Sequence, residues 1–310
     1  MKAIVMHQYG DAGVLKYEEV EKPVPGENEV LIQVKAAALN PIDSKIRNGF
    51  MKEVMPVSFP FIPGWEASGI VMETGKNVTN LKIGDEVFTR PSVKKAGSYA
   101  EYMTVDQNEA TLKPQSLSFS DAAAMPLVAS AAYILLFKTA NIQAGQKVFI
   151  LGAAGSVGLF AVQMAKSVGA YVIGTATGKD IQTVKSMGAN EVIDYTTTDY
   201  ANSLKDIDLA IDLVGGTAYD GLWKILKKGG TLLSTTMQPS PEKAKEYGVH
   251  ASFVFTTPDK TVLEKISEMV NEGKLIPAVG ITLPLSEAVR AHQLMDSHAV
   301  SGKIILEMNR

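Results

Sequence analysis

Lys147-Val148-Phe149-Ile150-Leu151-Gly152-Ala153-Ala154-Gly155-Ser156-Val157-Gly158 decides how the rest of the chain is read. An apolar β-type run stops in a glycine-rich turn, and a helix-patterned segment follows at once. In a strand–turn–helix unit Gly155 lets the backbone approach a pyrophosphate, Gly158 lets helix and strand pack closely, and the helix N-terminus offers free N–H groups. Gly169 closes the helix, Tyr171 to Thr175 reads as a second strand, and roughly 30 residues cover the unit, as a βαβ motif requires. A tight turn can need glycine for steric reasons alone, so the context carries the nucleotide reading rather than the glycines by themselves.

The whole chain of 310 residues has room for two domains with adequate cores. Thirty Lys+Arg against 33 Asp+Glu give a net charge of −3, so no basic field exists to attract nucleic acid or an anionic membrane. There is no cysteine, which excludes disulfides, thiolate nucleophiles and sulfur-ligated zinc. The start, Met1-Lys2-Ala3-Ile4-Val5, turns polar too soon for a secretory segment, and a cytoplasmic protein is expected. Two uncharged stretches, 122–137 and 148–165, approach membrane-span length, but Pro126 interrupts the first and the glycine turn divides the second.

Residues 1–119 carry short β-like runs: Lys2–Met6, Val14–Glu19, Glu29–Ala37, Ala67–Glu73, Glu86–Thr89 and Tyr99–Val105. This spacing predicts a mostly antiparallel, barrel-like domain. From about Ser120 the texture becomes α/β: a helical pattern over 121–136, the glycine-turn unit, then strands at 191–193, 208–214, 231–235 and 252–255 with helices near 219–226 and 261–272. The nucleotide-binding domain is therefore expected over 120–274. Residues 275–310, with a strand at 281–285, a helix at 287–296 capped by Ser286 and a strand at 303–306, are expected to return to the first domain.

Six phrases in order carry a resemblance along nearly the whole chain: Leu39-Asn40-Pro41-Ile42-Asp43, Ile62-Pro63-Gly64-Trp65-Glu66, Ile83-Gly84-Asp85-Glu86-Val87, Gly97-Ser98-Tyr99-Ala100-Glu101-Tyr102, Gly152 to Gly158, and Gly302-Lys303-Ile304-Ile305-Leu306. They resemble the medium-chain dehydrogenase/reductase superfamily, and within it the zinc-free quinone oxidoreductase branch with its enone reductase relatives. The resemblance implies a GroES-like β-barrel domain beside a Rossmann doubly wound parallel sheet. Zinc-dependent members have cysteine where this chain has Asn40 and histidine where it has Trp65. Without those ligands no metal site is expected, although Asp43 and Glu66 remain. Trp65 reads as packing.

The cofactor follows from the stretch Thr175-Ala176-Thr177-Gly178-Lys179, which has no acid to bond an NAD ribose and repel a 2′-phosphate. Thr175 and Thr177 can donate to phosphate and Lys179 supplies charge, so NADPH is expected, Lys179 as a plain solvated lysine being the alternative. The turn Gly152, Ala153, Ala154, Gly155, Ser156, Val157 and Gly158 is the cradle. Tyr195 matches a tyrosine that touches the adenosine phosphate in similar quinone reductases, or is packing. Val214, Gly215, Thr235, Phe253 and Phe255 end strands where the ligand crevice of such sheets lies. The resemblance implies that they line the nicotinamide half, with Ser130 beside the ring and Lys303 near the phosphates.

Without a metal, NADPH reduces acceptors that are already electron-poor, a quinone or the double bond of an enone. The protein must hold the acceptor carbon about 3–3.5 Å from the hydride donor. Asn40 is the candidate for orienting the acceptor through its amide donors at the mouth between the domains, and Lys45 the candidate cation near the developing negative charge. Phe50 and Met51 stand where quinone oxidoreductases often carry tyrosines, which leaves the proton to Lys45 or solvent. Asn40 and Asp43 read equally as turn residues, and Lys45 and Arg47 as solvated. His7, His250, His292 and His298 sit in no metal-ligand spacing, with His292 expected at the surface. The expectation is an NADPH-dependent, metal-free oxidoreductase acting on a small-molecule quinone or enone. A weakly catalytic NADPH-binding redox sensor is the alternative. As its relatives do, it would form a homodimer along the edge of the nucleotide-binding sheet, for which 252–255 is a candidate.

Overall fold

The computed structural model describes residues 1–92, Lys95 and 97–308; the last two residues of the expected C-terminal return lie outside them. In chain order the elements are β1 (Lys2–Val5), β2 (Lys16–Glu19), β3 (Glu29–Ala38), α1 (Pro41–Arg47), β4 (Ala67–Thr74), β5 (Glu86–Thr89), β6 (Tyr102–Asp106), β7 (Ala110–Leu112), α2 (Phe119–Ala123) and α3 (Pro126–Tyr133). There follow β8 (Lys147–Leu151), α4 (Ser156–Ser167), β9 (Tyr171–Ala176), α5 (Asp180–Ser186), β10 (Glu191–Asp194), α6 (Tyr200–Ser203), β11 (Ile207–Asp212), α7 (Leu222–Ile225), β12 (Leu226–Ser234), α8 (Pro241–Tyr247) and β13 (His250–Phe253). The chain ends with α9 (Lys260–Asn271), β14 (Val279–Pro284), α10 (Ala288–Asp296) and β15 (Lys303–Glu307).

The chain divides into two compact units, 1–127 with 257–310, and 128–256. In the first, a seven-stranded sheet runs β14-β15-β3-β4-β5-β7 with β6 also on β3, and every pairing except β14–β15 is antiparallel. Alternation in Glu29–Ala38 puts Val30, Ile32 and Val34 into a core that also takes Leu283, Leu285, Ile304 and Leu306 from the C-terminal return. Residues 257–310 cluster with the first unit. The boundaries differ, since α9 falls in the first unit whereas the expected division at 274 gave it to the nucleotide-binding domain.

The second unit is a six-stranded parallel sheet of order β10-β9-β8-β11-β12-β13. Its inner strands are apolar runs such as Val148–Leu151, as strands covered on both faces require. β13 lies at one edge, where the sequence placed it, but ends at Phe253, so Phe255 stands beyond the strand. The helix expected over 121–136 is broken instead. α2 stops at Ala123 and Pro126 starts α3, because proline suits a first helical position and cannot sit inside a helix; a π-helical turn, 134–139, follows. Ser286 does not cap α10; it lies in a 3-10 turn, Leu285–Glu287, that leads into the helix.

Candidate functional site

In the nucleotide-type unit, β8 ends at Leu151, α4 begins at Ser156 and 152–155 form the turn between them. Gly152 has φ +89°, and a Cβ on it would come within 2.7 Å of Val214 Cγ2. A Cβ on Gly158 would lie 2.2 Å from the Gly152 carbonyl oxygen, so the first turn of α4 is packed directly on the loop. The residue preceding α4 is Gly155, which has no side chain to cap the leading amides of the helix. Thr175 does not point outward as the phosphate assignment requires. It is buried, and its hydroxyl accepts the Gly152 N–H at 2.9 Å, which braces the cradle from behind.

Beside it, β9 and β10 run parallel with Ala176 opposite Asp194. Thr177, Lys179 and Tyr195 therefore follow the same strand ends, and Lys179 and Tyr195 are exposed. Asp194, which the sequence reading passed over, accepts the Thr196 hydroxyl at 2.7 Å and amide at 3.0 Å and is also bonded by Thr177. The Thr196 hydroxyl and then its amide hold this carboxyl below the usual range. Thr177 is thus partly engaged, while Lys179 supplies positive charge at that edge.

Along the other strand ends a fully buried carboxylate laces the loops together. Asp212 Oδ1 accepts the amides of Val214 and Gly215 at 3.0 and 2.8 Å, and Oδ2 accepts the hydroxyls of Ser234 and Thr236 at 2.7 and 2.5 Å. The Thr235 amide donates to the Asp212 carbonyl at 3.1 Å. Asp212 was legible only as a strand residue, because the hydroxyls that complete its shell come from Ser234 and Thr236, 22 and 24 positions later. Above this brace Val214 is 56% and Phe255 61% exposed, with Phe253 also exposed, an apolar ledge at the carboxyl ends of the strands. Ser130 on α3 is 1% exposed and its hydroxyl has no hydrogen-bond partner. A glycine cradle that side chains would fill, an uncapped helix start, an apolar ledge and an orphaned hydroxyl fit a dinucleotide.

The β unit holds a buried polar cluster. The Asn40 amide precedes α1, and its side chain is only 1% exposed: Nδ2 donates to Glu66 Oε1 at 2.8 Å and Oδ1 accepts from Lys303 Nζ at 2.8 Å. Lys303 spends its other protons on Leu39 O and Glu66 Oε1, both at 2.6 Å. Two expectations are corrected. Lys303 has no proton left for a phosphate, and Asn40 is held inside a network that commits one of its two Nδ2 protons to Glu66 rather than leaving both free for an acceptor. Nothing near Lys303 in sequence marks it as buried, because its partners lie 237 to 264 positions away. Lys45, on the outer face of α1, is exposed as a solvated cation would be.

Asp43, fully buried at the third position of α1, accepts the Asn40 amide and the Tyr99 hydroxyl on Oδ2. Burial raises its pKa to about 7, against the lowering effect of Tyr99 and the Asn40 amide. The turn-bracing reading of Asp43 holds. Arg47 and His292 are not at the surface: Arg47 Nη1 donates to His292 Nδ1 at 2.9 Å and Nη2 to Asp296 Oδ2 at 2.8 Å, tying α1 to α10. Among the described residues no group of three or more His, Cys, Asp or Glu is placed to hold a metal ion.

Residues 26–115 match the alcohol dehydrogenase GroES-like domain and residues 187–306 the zinc-binding dehydrogenase family. The NADPH-dependent alkenal/one oxidoreductase of Arabidopsis thaliana chloroplasts is 33% identical over 317 residues, which cover 99% of this chain and 79% of the relative. The structure of the quinone oxidoreductase from Coxiella burnetii superposes with a TM-score of 0.91 at 33% identity, covering 100% of this chain and 99% of that one. The Escherichia coli quinone oxidoreductase complexed with NADPH gives 0.89 at 29% identity, covering 99% and 100%.

Proposed function

Since the chain belongs to the quinone oxidoreductase branch of the medium-chain dehydrogenase/reductase superfamily, we propose that it is an NADPH-dependent reductase of quinones or α,β-unsaturated carbonyls. It is an oxidoreductase with the GroES-like and Rossmann architecture of that branch. The observation that carries the finer reading is the glycine cradle under an uncapped α4, beside a β9 that ends without an acid.

Gly152 to Gly158 would receive the pyrophosphate, and Lys179, with Thr177 and Tyr195, the adenosine phosphate. The Val214, Phe253 and Phe255 ledge and the Ser130 hydroxyl would take the nicotinamide half. When bound, NADPH supplies the hydride, and an electron-poor acceptor needs no further activation of its carbon. Lys45 is the cation available to a developing enolate or quinol oxygen. Asp43, raised to about 7, is protonated below neutral pH, and since Oδ2 already accepts two donors that proton belongs on Oδ1. Asn40 orients through the Lys303 and Glu66 network, with one Nδ2 proton unused by these contacts. A cytoplasmic homodimer paired along β13 completes the proposal.

The test is NADPH oxidation against a panel of small quinones and enones, with and without a chelator. Turnover insensitive to the chelator is expected, and no turnover with any acceptor sinks the reading. The enclosure of Asn40 favours one second reading, a redox sensor that binds NADPH tightly and turns over negligibly; calorimetry beside the same assay separates the two.

A further inference from the structure

In the parallel sheet of the second unit, β9 carries no acid at the place where a strand that binds an unphosphorylated dinucleotide ends in one. Ala176, 21 residues after Gly155, holds that place with a methyl group. The neighbouring strand β10 runs in parallel register with β9, and its last residue, Asp194, is the partner of Ala176. Partnered residues of a parallel ladder point to the same face of the sheet, and their strands lie about 4.8 Å apart. The acid is therefore displaced by one strand, not absent.

Asp194 is fixed in place and still open to a donor. Its carbonyl accepts the Thr197 and Thr198 amides at 3.2 and 2.9 Å, and the Thr196 hydroxyl and amide both go to Oδ1, at 2.7 and 3.0 Å. Oδ2 keeps at least one lone pair for a further donor. The groups that hold the carboxyl ionised at neutral pH are the Thr196 hydroxyl, the Thr196 amide and then Thr177, with no cation among them. Bracing this turn does not require a charge, since asparagine accepts the same two bonds. What the charge adds is discrimination: a ribose 2′-hydroxyl donates to a carboxylate, whereas a 2′-phosphate is repelled by it.

We propose that Asp194 is a specificity-determining residue, which supplies across the β9–β10 ladder the carboxylate that β9 lacks, accepts the 2′-hydroxyl of NADH and repels the 2′-phosphate of NADPH. Lys179, at the start of α5 just beyond β9, pulls the other way. The chain therefore uses both coenzymes, and its preference for NADPH is the margin by which the lysine outweighs the carboxylate. This role of Asp194 rests on the dinucleotide reading of the cradle above.

Asp194→Asn is the decisive variant, since asparagine keeps an oxygen for Thr196 and removes only the charge. Calorimetry on the full chain with NADPH, NADH, 2′,5′-ADP and 5′-AMP reads the whole coenzymes and their adenosine ends separately. In Asp194→Asn the NADPH Kd is expected to fall about fivefold and the NADH Kd to rise about threefold, with the two fragments moving in the same sense as their parent coenzymes. Lys179→Ala should move the ratio of the two Kd values the opposite way, and the double variant should lie between the single ones. A residue that only braces the turn would lower Tm and weaken all four ligands alike. That result, or a ratio unmoved in Asp194→Asn, overturns the role of Asp194 and leaves the dinucleotide reading standing. If the unaltered protein binds none of the four ligands, the dinucleotide reading itself falls, and the role of Asp194 falls with it.

Discussion

The Tyr99 hydroxyl donates to Asp43 Oδ2 at 2.5 Å, and the other Asp43 oxygen is buried with no partner. An ionised carboxylate with one bare oxygen is costly in such a place, which is why burial dominates and raises the group from 3.8 to about 7. Between those values the folded state keeps a proton that the unfolded chain has released. The contribution of Asp43 to stability is therefore greatest at low pH, declines as pH rises through that window and is flat above it. Asp43→Asn should gain in Tm relative to the unaltered protein as pH rises from 4 to 7. A Tm difference independent of pH would show that Asp43 titrates normally.

His292 works in the opposite sense. Burial first, and then Arg47, push the imidazole from 6.5 to about 3, against a smaller upward pull from Asp296, and the Tyr99 ring packs edge-on at 5.9 Å. The unfolded chain binds the proton first, so this stability is present above pH 6.5 and lost as pH falls toward 3. His292→Gln should make the urea midpoint less sensitive to pH across that window. A slope as steep as before would assign acid unfolding to other groups.

Lys303→Met leaves Glu66 buried without its cation. The expected loss is about 3–5 kcal/mol of unfolding free energy, measured by urea denaturation, with much of it recovered in the double variant Lys303→Met/Glu66→Gln. Because the ammonium is already engaged, the folded fraction should keep its preference for NADPH over NADH. A lost preference would restore the phosphate role.

Lys179→Ala should lower the NADPH preference about tenfold or more in calorimetric Kd ratios, as loss of one charge-assisted phosphate contact implies. Little change would mean that Lys179 is only solvated, with Asp194 then the charge that matters at that edge.

Gly158→Ala places a methyl group 2.2 Å from the Gly152 carbonyl oxygen, backbone that cannot step aside. Thermal melts should show a destabilisation of at least about 1–3 kcal/mol, and calorimetry a lost or much weakened dinucleotide affinity. A neutral substitution would mean that α4 can move off the turn.

What could be read without coordinates was local. The run 147–158 declares a strand, a glycine turn and a helix because each depends on neighbours a few residues away, and Pro and Gly mark most strand limits in the first 119 residues. Even the break in the helix expected over 121–136 has a local cause, since Pro126, which interrupts a membrane span, also starts α3.

Pairing across distance was not legible. Lys303, Arg47 and His292 are residue types that solvent usually claims, and nothing near them in sequence shows that each is buried with partners up to 264 positions away. Thr175 reads as a donor for phosphate until the fold turns it toward Gly152, and Glu66 reads as a leftover carboxylate until Leu127, Asn40 and Lys303 converge on it. Residue order sets backbone propensity and the apolar pattern, and those determined the two kinds of sheet and the cradle. The price of burying a charge is met only by long-range partners, so the tertiary structure alone decided which polar side chains face a ligand and which hold the framework.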